Sequence, residues 1–271
     1  MVLLVQTVKK NYIWNSDATT MIRKQKATGI IPARYASTRF PGKPLALLGG
    51  RPMVQWVYEG CRAIFDHLVV ATDDHRIREA VEAFGGNVIM TSSEHTTGTE
   101  RCSEAARILA EQGIQSDIVV NIQGDEPFIQ KEQLIELLDC FDDARTEIAT
   151  LARAFDKDED TENPNIVKVA MSKTGRALYF SRSPIPYLRI AKNTRRYHYL
   201  KHVGIYAFRY EVLQTICGLP PGDLEQAESL EQLRWLENDF MIRVYRTAYS
   251  SYGVDTPEDL EILQKRIDTA K

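Results

Sequence analysis

The sequence is poor in the features that mark several protein classes. It has only four cysteines in 271 residues, Cys61, Cys102, Cys140 and Cys217, with no CxxC or Cys/His spacing among them. That argues against a zinc knuckle and gives no hint of a disulfide framework. Each lies in, or at the end of, a segment read as helix, so buried apolar thiols and a reducing, cytoplasmic location are expected. No apolar run approaches the length of a membrane span. Neither sign of charge dominates, since 34 Lys and Arg against 37 Asp and Glu leave a net charge of −3. The basic excess that general nucleic-acid binding requires is therefore missing. Also missing are GxGxxG and GxxxxGK[ST], so neither a dinucleotide fingerprint nor an NTP-hydrolysing P-loop is indicated.

What is present is an ordinary globular composition, 44% hydrophobic and 26% charged, in a chain long enough for one large α/β domain. Residues 1–27 begin apolar but carry their charges after that stretch, the wrong order for a signal peptide. They are expected to be a disordered leader, with 28–271 as a single domain. Strands predicted at 29–32, 68–72, 88–91 and 117–123 alternate with helices predicted at 53–65, 75–84, 99–112 and 131–141. That alternation, with continuous apolar strands, marks a mainly parallel sheet covered on both faces. Beyond Glu147 the pattern changes. Strands are expected at 148–155, 166–171, 177–180 and 202–209, with a hairpin at Lys173-Thr174-Gly175. A helix over 227–236, a strand over 241–249 and a closing helix from Pro257 follow. The fold class expected is α/β, with an inserted antiparallel lobe laid against the first sheet.

Several constellations could carry chemistry. The loop after the first strand, Pro32–Pro44, gathers Arg34, Arg39 and Lys43 at a strand's carboxyl end, where open α/β sheets bind ligands. Forked arginines and a point-charge lysine among Gly, Ser and Thr suit a triphosphate. Asp125 ends the buried strand Val119–Gln123, in a position to hold Mg²⁺, which takes one or two carboxylates plus phosphate oxygens. Gly124-Asp125 and Glu126-Pro127 would serve a turn equally well. Thr256, Pro257 and Asp259 read as a capping box for the last helix, which leaves Asp255 outside it. Thr96–Arg101 leads into a helix whose N-terminal N–H groups could bind an anion. In the second half, Arg182 could pair with a carboxylate, and His202, Tyr206, Glu231 and Gln232 could read hydroxyls. Taken by themselves, these residues read better as structure, with His202 a satisfied strand histidine and Glu231 and Gln232 the wet face of a helix.

The motifs IIPARYASTRFPGKPL, VVATDD, GTER, VNIQGDEP, NPNIVKV, YFSRSPIPY, HVGIY, LEQLR and GVDTPEDLE occur in this order from residue 28 onward. In them the chain resembles the 3-deoxy-manno-octulosonate (Kdo) cytidylyltransferases, or CMP-Kdo synthetases. The resemblance implies a nucleotide-diphospho-sugar transferase-like fold, an Mg²⁺-dependent transfer of CMP from CTP to Kdo for lipopolysaccharide synthesis, and a cytoplasmic homodimer. It implies that Arg34 and Lys43 hold the CTP phosphates, with Ala33, Gly98 and Arg101 near the nucleotide. It makes Asp125 and Asp255 metal ligands, with Asp125, Lys43 and Arg34 catalytic. Arg39, Gln123, Arg182, His202, Tyr206, Glu231 and Gln232 would surround the sugar acid in a lobe at about 175–250, which would also form the dimer. Activity on sialic acid or an 8-amino analogue of Kdo, and a non-catalytic nucleotide sensor, are the competing readings.

Overall fold

The apolar stretch Ala27–Ala33 forms the central strand β1 in a computed structural model that describes residues 25–36, 40–189, 197–250 and 252–269. Most of the expected leader, and Arg39, lie outside the described residues. Lys26 and Ala27, read as leader, belong to the fold: the Lys26 N–H donates to Asp117 Oδ2 at 2.8 Å, and Ala27 pairs with Ile118. β1 pairs in parallel with β4 (His67–Thr72) on one side and β6 (Ile118–Asn121) on the other. β5 (Val88–Met90) extends the sheet beyond β4, while β2 (Leu47–Leu48) and β3 (Arg51–Pro52) form a short antiparallel pair of their own. Strand side chains alternate between two cores, as the period of two requires. Ile31, Val70 and Val120 face α1 (Met53–Cys61), α2 (His75–Ala83) and α4 (Lys131–Asp139). Ile30, Val69 and Val119 face α3 (Gly98–Glu111). Adjacent Ile30 and Ile31 are both fully buried, each contributing roughly 1.5–3 kcal/mol of burial.

The order of these strands fixes where a ligand can enter. The chain passes from β1 to β4 and β5, then returns to β6 on the far side of β1. Loops leaving the carboxyl ends of β1 and β6 therefore diverge and open a crevice at a topological switch point.

The second half continues the same nine-stranded sheet. β10 (Leu200–Arg209) inserts antiparallel between β6 and β7 (Ile148–Ala154), and β11 (Ile242–Arg246) adds in parallel to β7. The hairpin of β8 (Lys168–Met171) and β9 (Ala177–Ser181) attaches to β10 through β8. The antiparallel insertion expected in the second half is present, and it joins the first sheet edge to edge. The helix expected over 227–236 is two helices, α6 (Asp223–Glu228) and α7 (Glu231–Glu237), because Ser229 turns left-handed at φ 50° and Leu230 is extended. α5 (Tyr210–Cys217) follows β10 directly and ends at Cys217, the cysteine expected in or at the end of a helix. α8 (Pro257–Thr269) closes a third core through Leu263, which meets Leu48, Met53 and Val254. The cysteines are free; Cys61, Cys102 and Cys140 are buried, and burial pushes the Cys61 and Cys140 thiols up to about 12.

Candidate active site

The crevice holds a cavity of about 250 Å³ lined by Ala33, Arg34, Lys43, Gly98, Arg101, Gln123, Asp125 and Asp255, among others. Four separate segments supply these residues, and local features explain how each arrives. After β1 the chain loops out and returns at Gly42, whose φ of 71° is left-handed. Its N–H donates to the Tyr35 carbonyl at 2.9 Å, closing the loop. The turn Lys43–Leu45 then aims Lys43 inward. At the end of β6, a side chain on Gly124 would meet the Pro32 carbonyl at 3.2 Å, so glycine lets the two strand-end loops approach.

Lys43 is the hub of this cavity. Its Nζ donates to Asp125 Oδ2 at 2.7 Å and to the Val254 carbonyl at 2.9 Å, and it stands 3.7 Å from Asp255 Oδ1. The Val254 N–H donates to the Asp125 carbonyl at 2.9 Å, which ties the last loop to the β6 loop. The expected capping box is formed: Asp259 Oδ2 accepts from the Thr256 N–H at 2.9 Å, and Thr256 Oγ1 accepts from the Asp259 N–H at 3.3 Å. Burial opposes the charge on Asp259, but the N–H groups of Asp255 and Thr256 prevail and hold its carboxyl below the usual range. The box fixes the backbone on which Asp255 stands.

The opposite wall is the start of α3. Thr97 and Glu100 form a second capping box, with the Glu100 N–H donating to Thr97 Oγ1 and the Thr97 N–H donating to Glu100 Oε2, each at 3.1 Å. Arg101 is buried; it donates to Thr91 Oγ1 at 2.7 Å and lies 3.4 Å from Asp73 Oδ2. Its guanidinium therefore braces the wall. Sequence reasoning missed His95, which lines the cavity with Nε2 held 2.6 Å from Glu104 Oε2. Glu104 also accepts from the Ser92 N–H at 2.8 Å. No local motif announces that pair, although Glu104 falls one helical turn beyond Glu100.

A second polar group borders the first without lining its cavity. Thr99 Oγ1 donates to Glu231 Oε2 at 2.7 Å, joining the start of α3 to the start of α7. Burial raises the Glu231 carboxyl, against the pull of that hydrogen bond. Tyr206 and Gln232 are buried beside it, and burial pushes the Tyr206 hydroxyl pKa well up. Its ring stands 5.2 Å from His202 and 5.0 Å from Trp235, centre to centre. His202 and Tyr206 would sit about 13 Å apart in a regular strand at about 3.3 Å per residue. They meet because β10 bulges between Val203 and Tyr206. Thr150 Oγ1 fills the bulge, donating towards the Ile205 carbonyl at 2.8 Å, and lies 2.9 Å from His202 Nε2. Burial drops the His202 pKa to about 3, so the ring is neutral. Arg182 stands apart from the cavity lining. Its guanidinium donates to the carbonyls of Glu228 at 2.7 Å, Pro164 at 3.0 Å and Ser229 at 3.2 Å.

The donor set bears on a metal. Among the described residues there is no group of three or more His, Cys, Asp or Glu that could hold one. Asp125 and Asp255 supply two carboxylates beside cationic side chains. Two hard oxygen donors fit Mg²⁺, which keeps water and phosphate oxygens as its other ligands, and do not fit a closed zinc site.

Comparison with known proteins decides the family. Residues 28–244 match the cytidylyltransferase family. A 3-deoxy-manno-octulosonate cytidylyltransferase of Parabacteroides distasonis is 54% identical over 243 residues, covering 87% of this chain and 96% of its own. The chain is a cytidylyltransferase family member. Its relative of the same name in Porphyromonas gingivalis is 56% identical over 238 residues, covering 86% of this chain and 92% of its own. Among solved structures, a CMP:2-keto-3-deoxy-manno-octonic acid synthetase complexed with CTP superposes with a TM-score of 0.83 at 45% identity, covering 91% of this chain and all of that one. A 4-diphosphocytidyl-2C-methyl-D-erythritol synthase from Anaerococcus prevotii, 16% identical with a TM-score of 0.58 and covering 90% and 96%, shares the fold.

Proposed function

We propose that this chain transfers CMP from CTP to 3-deoxy-D-manno-octulosonate, releasing pyrophosphate and activating Kdo for lipopolysaccharide synthesis. The observation that carries the reading is Lys43 set between Asp125 and Asp255 at the switch-point cavity, on a chain 54% identical to a named Kdo cytidylyltransferase over 96% of that protein's length. The anomeric hydroxyl of the sugar attacks the α-phosphorus of CTP, the bond to the β-phosphate oxygen breaks, and pyrophosphate leaves. Phosphoryl-type transfers of this sort depend on positioning and charge neutralisation, so no covalent enzyme intermediate is required.

Arg34 and Lys43 bind the β- and γ-phosphates and stabilise the charge that grows on the leaving pyrophosphate. The nucleoside lies towards Ala33, Gly98 and the wall braced by Arg101. Gln123 sits at the junction between nucleotide and acceptor. Asp125 and Asp255 would hold Mg²⁺. When bound, that ion supplies charge neutralisation and a template for the phosphate oxygens. Glu231, Gln232, Tyr206 and His202, with Arg39 and Arg182, orient the sugar acid. For Arg182 this requires N–H groups beyond those already given to the three carbonyls, which a five-donor guanidinium retains. A homodimer follows the family resemblance. A cytoplasmic site agrees with four free cysteines and with the lack, among the described residues, of any helix long and apolar enough to cross a membrane.

The test is pyrophosphate release from CTP and Mg²⁺, with and without Kdo, with sialic acid and 8-amino-Kdo in parallel. Release that depends on Kdo is expected. Preference for the 8-amino sugar would change the acceptor and keep the mechanism. Silence with all three sugars would reject cytidyl transfer to this class of acid.

A further inference from the structure

The contacts of Lys43 differ from those of a residue reserved for phosphate. Its ammonium is 2.7 Å from one proposed metal ligand and 3.7 Å from the other. It also donates to the carbonyl of Val254, the residue next to Asp255. Lys43 is mostly buried, at 15% exposure, whereas Asp255 is 53% exposed. The ammonium thus lies inside the carboxylate pair, where a divalent cation would have to go. Two carboxylates drawn from the β6 loop and the last loop would repel each other without a positive charge between them. An ammonium beside a cation held by the same oxygens would be repelled in turn.

We propose that Lys43 is a resident counter-ion that neutralises the Asp125–Asp255 pair, competes there with a metal ion, and leaves it when nucleotide and metal enter together. Deepening the reading above, this rests on Asp125 and Asp255 as the metal ligands. The exchange conserves charge locally. The metal takes over the carboxylates, and the triphosphate offers Lys43 a new anionic partner within the same cavity. Metal alone must displace the ammonium without giving it another partner, so it binds weakly. Nucleotide removes that obstacle, and by linkage metal tightens nucleotide to the same degree. Lys43 therefore acts twice, first as a counter-ion in the place of the metal and then on the phosphates.

The test is Mn²⁺ binding followed by electron paramagnetic resonance, without sugar and without turnover. Lys43→Met should bind Mn²⁺ in the absence of nucleotide about tenfold more tightly than the wild type, a change of the size usual for coupled sites. The same variant should bind CTP less well. Lys43→Gln, which keeps a donor for the Val254 carbonyl, should shift metal affinity in the same direction. Unchanged or weaker Mn²⁺ binding by both variants overturns the proposal. A measurement free of any variant uses wild-type crystals soaked in Mn²⁺ alone, or in Mn²⁺ with CTP. Lys43 should be off Asp125 in the second soak, and its staying at hydrogen-bond distance there overturns the exchange. If Asp125→Asn binds Mn²⁺ as well as the wild type, the metal assignment itself falls and the proposal falls with it. None of these results depends on which sugar, if any, accepts CMP.

Discussion

The cavity at the ends of β1 and β6 keeps its carboxylates wet, whereas the cluster on β10 and α7 keeps its polar groups dry. Asp125 and Asp255 are 29% and 53% exposed, but Tyr206 and Gln232 are 7% and 6% exposed. The wet group rests on loops and capping boxes, so its charges can be exchanged without disturbing a core. The dry group is part of the core, between Phe180, Phe208 and Trp235, and its hydrogen bonds hold the sheet as well as any ligand. Alterations in the first region should reach activity and spare stability. In the second, the two should move together.

Asp125→Asn gives the sharpest separation. Turnover should fall by at least about 100-fold, the scale of losing a charge-stabilising group at the reacting centre. The circular-dichroism melting curve should stay in place. A variant that melts early would put Asp125 in the structural class and break the comparison. Arg182→Ala should behave in the opposite way. Removing the donors to Glu228, Pro164 and Ser229 should cost about 2–3 kcal/mol in urea unfolding, together with a higher KM for the sugar. Lost stability with an unchanged KM would confine Arg182 to structure.

Thr99→Val cuts the link between the two regions and leaves the raised Glu231 carboxyl without its 2.7 Å donor. A loss of about 1–2 kcal/mol is expected, smaller when measured in a Glu231→Gln background by a double-mutant cycle. Full additivity would mean that the regions are not coupled there. The smallest effect concerns pH. Below about 6.5 an unfolded His202 takes up a proton, while in the folded chain it stays neutral down to about 3. The folded state therefore binds fewer protons in that window. The contribution is fully present above about 6.5 and is lost as pH falls towards 3. His202→Gln should flatten the difference in urea midpoint between pH 7 and pH 5, and an identical difference would show that the ring is not held neutral.

The same contrast explains what was legible beforehand. β1, β4 and β6 are continuous apolar runs, and the capping boxes at Thr97 and Thr256 are local in sequence, so the nucleotide half could be read directly. Ser229 sits inside a helical pattern, and nothing nearby foretells its left-handed turn. The approach of His202 to Tyr206 depends on a bulge set by Thr150, 52 residues away from His202. The Lys43–Asp125 contact spans 82 residues and follows from strand order alone. Spacing within a segment reveals caps and faces; pairing between distant segments leaves no such mark. Resemblance supplied the roles of Asp255, Arg182 and the β10 residues, because their chemistry exists only after the sheet is assembled.

The placement of β10 has a consequence for how the chain is made. Strands β6 and β7 are synthesised before β10, yet each borders the slot that β10 fills. Until Leu200–Arg209 leaves the ribosome, both strands present open edges of the kind that recruit foreign strands. The nucleotide half can pair β1, β4, β5 and β6 early, but its two halves are stitched together late, by one strand running against the rest. A chain truncated before residue 200 should therefore be prone to aggregation even though its phosphate loop is complete.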